Sequence, residues 1–280
     1  MLDARVRNAS DWRGAADGTA ASAFAGRTRT RAAYLQDGWS FADGWELRLA
    51  HGKAVRYPTV AELFQGSLSG NAIVDNNPAL KPERDESTDL TLTHHFEQGH
   101  WRMSLFQDRI TDSLSSQTDI TASPTVTSVQ NIDQMRVRGI EGELALKNLW
   151  IPGLDLQGSV AFNDAKTLRD GQYPLANGKY FPRIPKVRAS VFADYRFAPQ
   201  WDASLGVRHS GRPFGSLDNS DVVESYGAVT RFTVANAKLR WQFAPSWHAS
   251  LGVDNLTNEH YWVCHPYAGR TSFGELRWEL

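Results

Sequence analysis

The stretch VRASVFADYRFAPQWDASLGVR, residues 187–208, decides how the rest of this 280-residue chain is read. Val187, Ala189, Val191, Ala193, Tyr195 and Phe197 alternate with Arg188, Ser190, Asp194 and Arg196; Phe192 is the one apolar residue out of phase. Past the turn at Pro199 and Gln200 the phase resumes, with Trp201, Ala203, Leu205 and Val207 set against Asp202, Ser204, Gly206 and Arg208. A period of two with one apolar and one polar face describes half-buried strands. A turn this short joins antiparallel neighbours.

The same punctuation recurs along the chain. A Phe, a short turn and a Trp appear at Phe41–Trp45, Phe96–Trp101, Phe197–Trp201 and Phe243–Trp247, with a looser copy at Leu146–Trp150. Aromatic residues beside one set of turns predict a shared level, like the aromatic girdle of a membrane barrel. The opposite strand ends run into long polar loops, at roughly 57–83, 115–128, 168–182, 213–227 and 259–268, and short turns on one rim with long loops on the other fit such a barrel. The alternating runs extend for roughly ten to fifteen residues, longer than the usual soluble strand. The reading gives about eleven strands from Ala32 to Leu280, and Leu2–Asn8 adds a twelfth. It predicts an all-β, antiparallel transmembrane β-barrel. A soluble β-sandwich shows the same alternation and stays open as an alternative, for example as a carbohydrate-binding module.

Composition narrows the function. A net charge of -1 gives no electrostatic case for nucleic acid. With 41% hydrophobic residues and a mean hydropathy of -0.44, no stretch approaches a spanning helix. A barrel hides its membrane signal in alternation, so this does not count against one. The single Cys264 excludes an intramolecular disulfide framework. The first residues, Met1 to Arg7, do not read as a signal peptide, which leads us to expect a missing N-terminal part. No Gly-x-Ser-x-Gly elbow, phosphate-cradling Gly loop or His-Glu-x-x-His occurs, so catalysis is not expected.

Five strings stand out: Arg56-Tyr57-Pro58-Thr59-Val60-Ala61-Glu62-Leu63-Phe64, Asn77-Pro78-Ala79-Leu80-Lys81-Pro82-Glu83, Arg138-Gly139-Ile140-Glu141-Gly142-Glu143, Val253-Asp254-Asn255-Leu256-Thr257-Asn258 and Gly269-Arg270-Thr271. In this order over residues 30–280 they resemble the barrel of TonB-dependent outer-membrane receptors. The resemblance implies the C-terminal half of a 22-stranded barrel at residues 31–280, with residues 1–30 a partial strand and an extracellular loop. It also implies a plug, a TonB box and uptake of a ferric siderophore or similar scarce solute across the outer membrane. Plug and TonB box are not found in this sequence, so the resemblance is to a truncated receptor, and the TonB complex is a partner only if a longer parent chain supplies a plug. The short stretch Leu47–Lys53 joins the first hairpin directly to the Arg56 string and is a candidate internal deletion. Half a barrel leaves two unpaired edges, so a small self-closed porin-like or surface-binding barrel is a second alternative. Outer-membrane lipid is the expected surrounding.

Candidate site residues follow from the loops and the polar faces. The loop His260-Tyr261-Trp262-Val263-Cys264-His265-Pro266-Tyr267 is chemically the most crowded. Its Trp and Tyr could stack on an aromatic chelate, and its His and Cys could meet a soft metal, though no second cluster matches them and no metal or cofactor is expected. Tyr57, Phe64, Asn71 and Asn77 in the 57–83 loop, with His260, Tyr261, Trp262, His265 and Tyr267, form the expected ligand contacts; plain solvated loops and rim packing are the competing explanation. Arg102, Arg138, Glu141, Glu143, Arg188, Arg208 and Arg240, with Lys238 and Arg277, are expected on the inward face. A solvated polar lining explains them as well as solute contact does. His94 and His95 are adjacent on one strand and face opposite ways.

Overall fold

The computed structural model describes residues 2–6, 28–64, 67–69, 72–119, 125–221 and 227–279. A continuous antiparallel path of strands runs in chain order. It comprises β1 (Leu2–Val6), β2 (Thr28–Phe41), β3 (Trp45–Arg56), β4 (Glu83–Phe96), β5 (Gly99–Asp119), β6 (Thr125–Leu146), β7 (Leu154–Arg169), β8 (Val187–Ala198), β9 (Trp201–Ser210), β10 (Phe232–Ala244), β11 (Trp247–Asp254) and β12 (Thr271–Trp278). Each strand pairs with its chain neighbours, the meander that short turns dictate. Among the described residues the sheet does not close, and β1 and β12 are its edges. The self-closed barrel is therefore not the arrangement formed, and one sheet in place of two packed ones excludes the sandwich.

The outward face stays apolar and open. Leu205, Leu251 and Leu276 are 49%, 69% and 66% exposed, so the hydrophobic side of the sheet is not buried by the chain itself. A soluble fold would cover such a face; lipid covers it in a barrel. At the short-turn rim the aromatic residues touch one another across strands. Trp201 stacks on Trp241 with centroids 5.3 Å apart, Trp247 lies 6.2 Å from Trp278, and Trp45 meets Trp101 edge-on at 5.4 Å. The spaced aromatics of the sequence thus share one level.

Phe192 is in phase with the wrong face for a simple reason. Its cross-strand partner is Gly206, and the ring lies against that glycine on the inward side. Phe106 on Gly139 and Phe273 on Gly252 repeat the device, and a β-carbon at either glycine would run into the ring. An aromatic covering a cross-strand glycine restores the packing that the glycine lacks.

Two of the expected loops hold more regular structure than their polarity suggests. The 115–128 segment is largely hairpin, because the β5–β6 ladder runs on to Asp119↔Val126. The 57–83 segment contains a short helix, α1 (Val60–Phe64), and a strand, Ala72–Asp75, that pairs in parallel with Thr125–Ser128.

Candidate ligand-capture loops and lumen wall

The loop after β11 is built on Asn255, which is 4% exposed. Its side-chain amide donates to the carbonyls of Glu259 (2.9 Å) and Ala268 (3.2 Å), and its Oδ1 accepts from the Glu259 N–H (2.8 Å). One side chain so ties both ends of the loop together. Above it, Trp262–Val263 and His265–Pro266 form a miniature hairpin around Cys264, whose φ of 65 supplies the turn. The hairpin docks on the stretch before β10: Cys264 N–H donates to Ala228 O (2.9 Å), Thr230 N–H to Trp262 O (3.0 Å) and Trp262 N–H to Thr230 Oγ1 (3.0 Å).

These contacts divide the predicted residues of the loop. Tyr261 is buried, stacked between Phe232 (4.4 Å) and Tyr267 (4.8 Å). Burial, and secondarily Tyr267, pushes its phenol above the ordinary tyrosine value. Tyr261 therefore supports the loop from beneath. His260, His265 and Tyr267 are exposed, and Trp262 is half-buried. Among the described residues no three His, Cys, Asp or Glu side chains converge as a metal site.

The 57–83 loop is pinned in a similar way. Thr59 and Glu62 form a capping box on α1: Thr59 N–H donates to Glu62 Oε2 (2.7 Å), and Glu62 N–H to Thr59 Oγ1 (3.2 Å). Burial opposes ionisation of Glu62, but the bonds from Thr59 and Arg56 outweigh it and hold the carboxyl below its usual value. Asn77 Oδ1 accepts from Ala79 N–H (3.0 Å) and its amide donates to Val129 O (3.4 Å). Asn131 meanwhile exchanges bonds with both backbone groups of Lys81 (2.8 and 3.0 Å). The Asn77–Glu83 string is thus a clamp onto β5 and β6, with Asn77 engaged inside it. Tyr57 and Phe64 remain at the surface, 36% and 41% exposed, whereas Asn71 lies outside the described residues.

On the inward face most charges are paired across strands. Arg102 meets Glu143; Arg240 and Arg196 share Asp202 at 2.8 and 3.2 Å; Lys238 meets Glu275 at 2.9 Å. Arg277 instead meets Glu279, two residues along its own chain end, at 3.0 Å. Arg188 and Arg208 differ, because among the described residues neither has an acidic partner. With Arg102, Glu141, Glu143 and Arg183 they line a cavity of about 650 Å³, floored by Ser159 and Ser190 and roofed by Val263 and Cys264. The latched loops therefore sit directly over the part of the wall with uncommitted guanidinium groups.

Arg138 is a correction. It pairs with Gln107 and Asp164, and it lies an odd number of residues from Glu141 and Glu143, so it shares the outward face with Ile140. Its guanidinium meets Asp164 at 3.1 Å there. The acids that complete these networks, Asp164, Asp202 and Glu275, were absent from the candidate residues, although their alternation with the arginines was the available signal. His94 and His95 do face opposite ways: His94 stacks on Trp45 (4.2 Å) and His95 lies beside His100 (5.5 Å).

A single antiparallel sheet, apolar outside and charged inside, with aromatic short turns at one rim and pinned long loops at the other, is the wall of a membrane β-barrel. The chain belongs to the family described as TonB dependent receptor-like, beta-barrel, whose profile matches residues 4–256. Proteins of this family reside in the outer membrane and act as transport receptors, not enzymes. The chain is 23% identical over 195 residues to a protein of Acinetobacter baumannii described as a probable TonB-dependent siderophore receptor, PiuA; the match covers 67% of this chain and 25% of that one. Among solved structures, the copper transporter OprC superposes with a TM-score of 0.70 at 18% identity, over 92% of this chain and 40% of that one. The ferric enterobactin receptor PfeA of Pseudomonas aeruginosa, solved with enterobactin, gives a TM-score of 0.67 at 14% identity, over 90% and 41%. The chain thus spans a quarter to two fifths of the length of these relatives.

Proposed function

We propose that this chain forms barrel wall and capture loops of an outer-membrane receptor for a ferric siderophore or a similarly scarce solute. The observation that carries the reading is the stack of pinned loops over an inward cavity with uncommitted arginines, on a wall whose family match runs through residues 4–256. In this reading residues 31–280 are barrel segment and residues 1–30 a partial strand with its loop. His260, Trp262, His265, Tyr267, Tyr57 and Phe64 offer contacts to the solute, and Tyr261 and Asn77 hold the loops that present them. Arg102, Glu141, Glu143, Arg188, Arg208 and Arg240 line the way inward. Coupling to the TonB complex would run through a plug, and the described residues contribute only the sheet and its loops.

The test is uptake. Iron-starved host cells lacking the gene are given a panel of radiolabelled ferric siderophores, then tested again with the gene restored. Uptake of one chelate should fall to background and return on complementation. Unchanged uptake of every chelate, with the protein in the soluble fraction, would overturn the reading.

A further inference from the structure

Below the cavity the inward wall continues to the short-turn rim, and there it presents two histidines. His95 on β4 and His100 on β5 are cross-strand partners, one step from the Phe96–Gly99 pair that closes the turn. They share the face of Arg102 and Glu143, because His100 lies two residues from Arg102. His94, the neighbour of His95 in sequence, turns the other way and stacks on Trp45.

The backbone sets how close the two imidazoles come. His95 gives its N–H to Gly44 O at 2.7 Å, in the β2–β3 turn, so it makes no ladder bond to His100. Antiparallel pairs of this kind hold their side chains nearest, with α-carbons about 4.5 Å apart. The two rings accordingly stand with centroids 5.5 Å apart and planes inclined at 37°. Ring nitrogens bind a divalent ion at about 2.0–2.1 Å, which puts each ring centroid about 3.2 Å from the ion. Two such rings at a tetrahedral angle have centroids about 5.2 Å apart. The observed spacing is close to what a shared ion needs, and ring rotation without backbone movement completes it.

The surroundings favour a cation. Glu143 Oε1 lies 3.7 Å from His100 Nε2, and its other oxygen is held by Arg102, whose charge is thereby offset. Two atoms bound to one ion stand about 3.0–3.4 Å apart at such bond lengths, so Glu143 lends charge from beside the pair. The residue across from His100 on β6 is Ala145, whose small side chain leaves room for water. His95 is exposed and His100 half-buried, so the pair can be reached from solvent.

We propose that His95 and His100 form a two-histidine site for a borderline divalent transition-metal ion. No third protein ligand converges on them, and water fills the remaining positions. Imidazole suits copper, nickel and zinc, and the general order of complex stability puts Cu²⁺ first among them. Mg²⁺ demands oxygen ligands and is excluded. The bound ion ties β4 to β5 at the foot of the wall, at the opposite rim from the His260–Tyr267 loop. The site goes beyond the solute-capture reading and does not depend on which solute the receptor takes.

Calorimetric titration of the whole chain, folded in detergent and stripped of metal, is the test. One equivalent of Cu²⁺ should bind, Zn²⁺ more weakly and Mg²⁺ not at all. His95→Asn and His100→Asn should each lower Cu²⁺ affinity at least about tenfold, since even an outer partner of a metal site is worth that much. The double variant His260→Asn/His265→Asn should leave the affinity unchanged, and Glu143→Gln should weaken it by a smaller factor than either wall variant. If the His95 and His100 variants do not fold, the unaltered chain decides. Cu²⁺ should then slow the modification of His95 and His100 by diethyl pyrocarbonate, read by peptide mass spectrometry, while His260 and His265 react as before. Absence of Cu²⁺ binding, affinity retained in both wall variants, or protection confined to other histidines would overturn the site.

Discussion

The two rims of this sheet turn the chain by opposite means. At the short-turn rim the reversals are local: in four of the five turns a Phe and a Trp stand on either side, with three or four residues between them. The rings then find each other across strands, as Trp201 does on Trp241. At the long-loop rim the reversals are held from a distance. Asn131 grips Lys81 fifty residues away, Thr230 grips Trp262, and Tyr173 reaches Asp218. A locally encoded rim should fail as a whole when one backbone position is broken. A remotely pinned rim should fail one loop at a time.

The largest effect is expected at the first kind of rim. Gly44 has φ of 78, and a β-carbon there would collide with the His95 carbonyl oxygen on the neighbouring strand. Gly44→Val combines a left-handed backbone with that clash, a cost of about 3 kcal/mol or more. The β2–β3 turn cannot then dock on β4, and ladder formation is impaired on both sides. The folded band on an unboiled gel should be lost or strongly reduced. A normal folded band would show that this rim tolerates remodelling and that the contrast between rims is false.

A smaller and more confined effect is expected at Asn255. Asn255→Ala removes three bonds that the half-buried Glu259 backbone and the exposed Ala268 carbonyl make to it, at about 1–3 kcal/mol. Hydrogen exchange should quicken in the 256–270 loop, while the amides of β10 and β11 keep their protection. If the neighbouring strands loosen equally, the loop is part of the wall's cooperative unit, and the remote rim is less modular than the geometry implies.

The same contrast explains what could be read from the chain beforehand. Strand direction, number and the apolar face were legible, because alternation and the Phe–turn–Trp repeat are local. Phe192 looked like an error only because Gly206, which accommodates its ring, sits on another strand. Arg138 belongs to the Arg138–Glu143 string, yet its odd spacing from Glu141 puts it on the opposite, outward face under a period of two. The pins were not legible at all. Nothing in the residues around Asn131, Thr230 or Asp218 names a partner on another loop, since such bonds depend on a register that forms only in the assembled sheet.

The smallest expected effect concerns the pin between the 168–182 and 213–221 loops, and pH can reach it from both sides. Tyr173 donates to Asp218 Oδ2 at 3.1 Å, while Asp218 Oδ1 accepts from the Ser220 hydroxyl at 2.8 Å and from its N–H at 3.1 Å. The Ser220 bonds, aided by Tyr173, draw the Asp218 carboxyl down from 3.8 to about 2. Its contribution is therefore complete above pH about 4 and is lost as pH falls toward about 2. Burial, with Asp218 beside it, raises the Tyr173 phenol above its usual value of 10.0. That contribution is complete below pH about 10 and is lost as pH rises through the elevated value. The two loops should be joined across the intervening range and loosen at each extreme. Limited proteolysis at matched protease activity would follow this. Tyr173→Phe should raise cleavage modestly at neutral pH and abolish the alkaline increase, leaving the acid increase in place because Ser220 still holds Asp218. An alkaline increase that survives in Tyr173→Phe would place the titrating group elsewhere, and the two loops would then be joined by Tyr180 and its contacts to Asn219 and Phe214 instead.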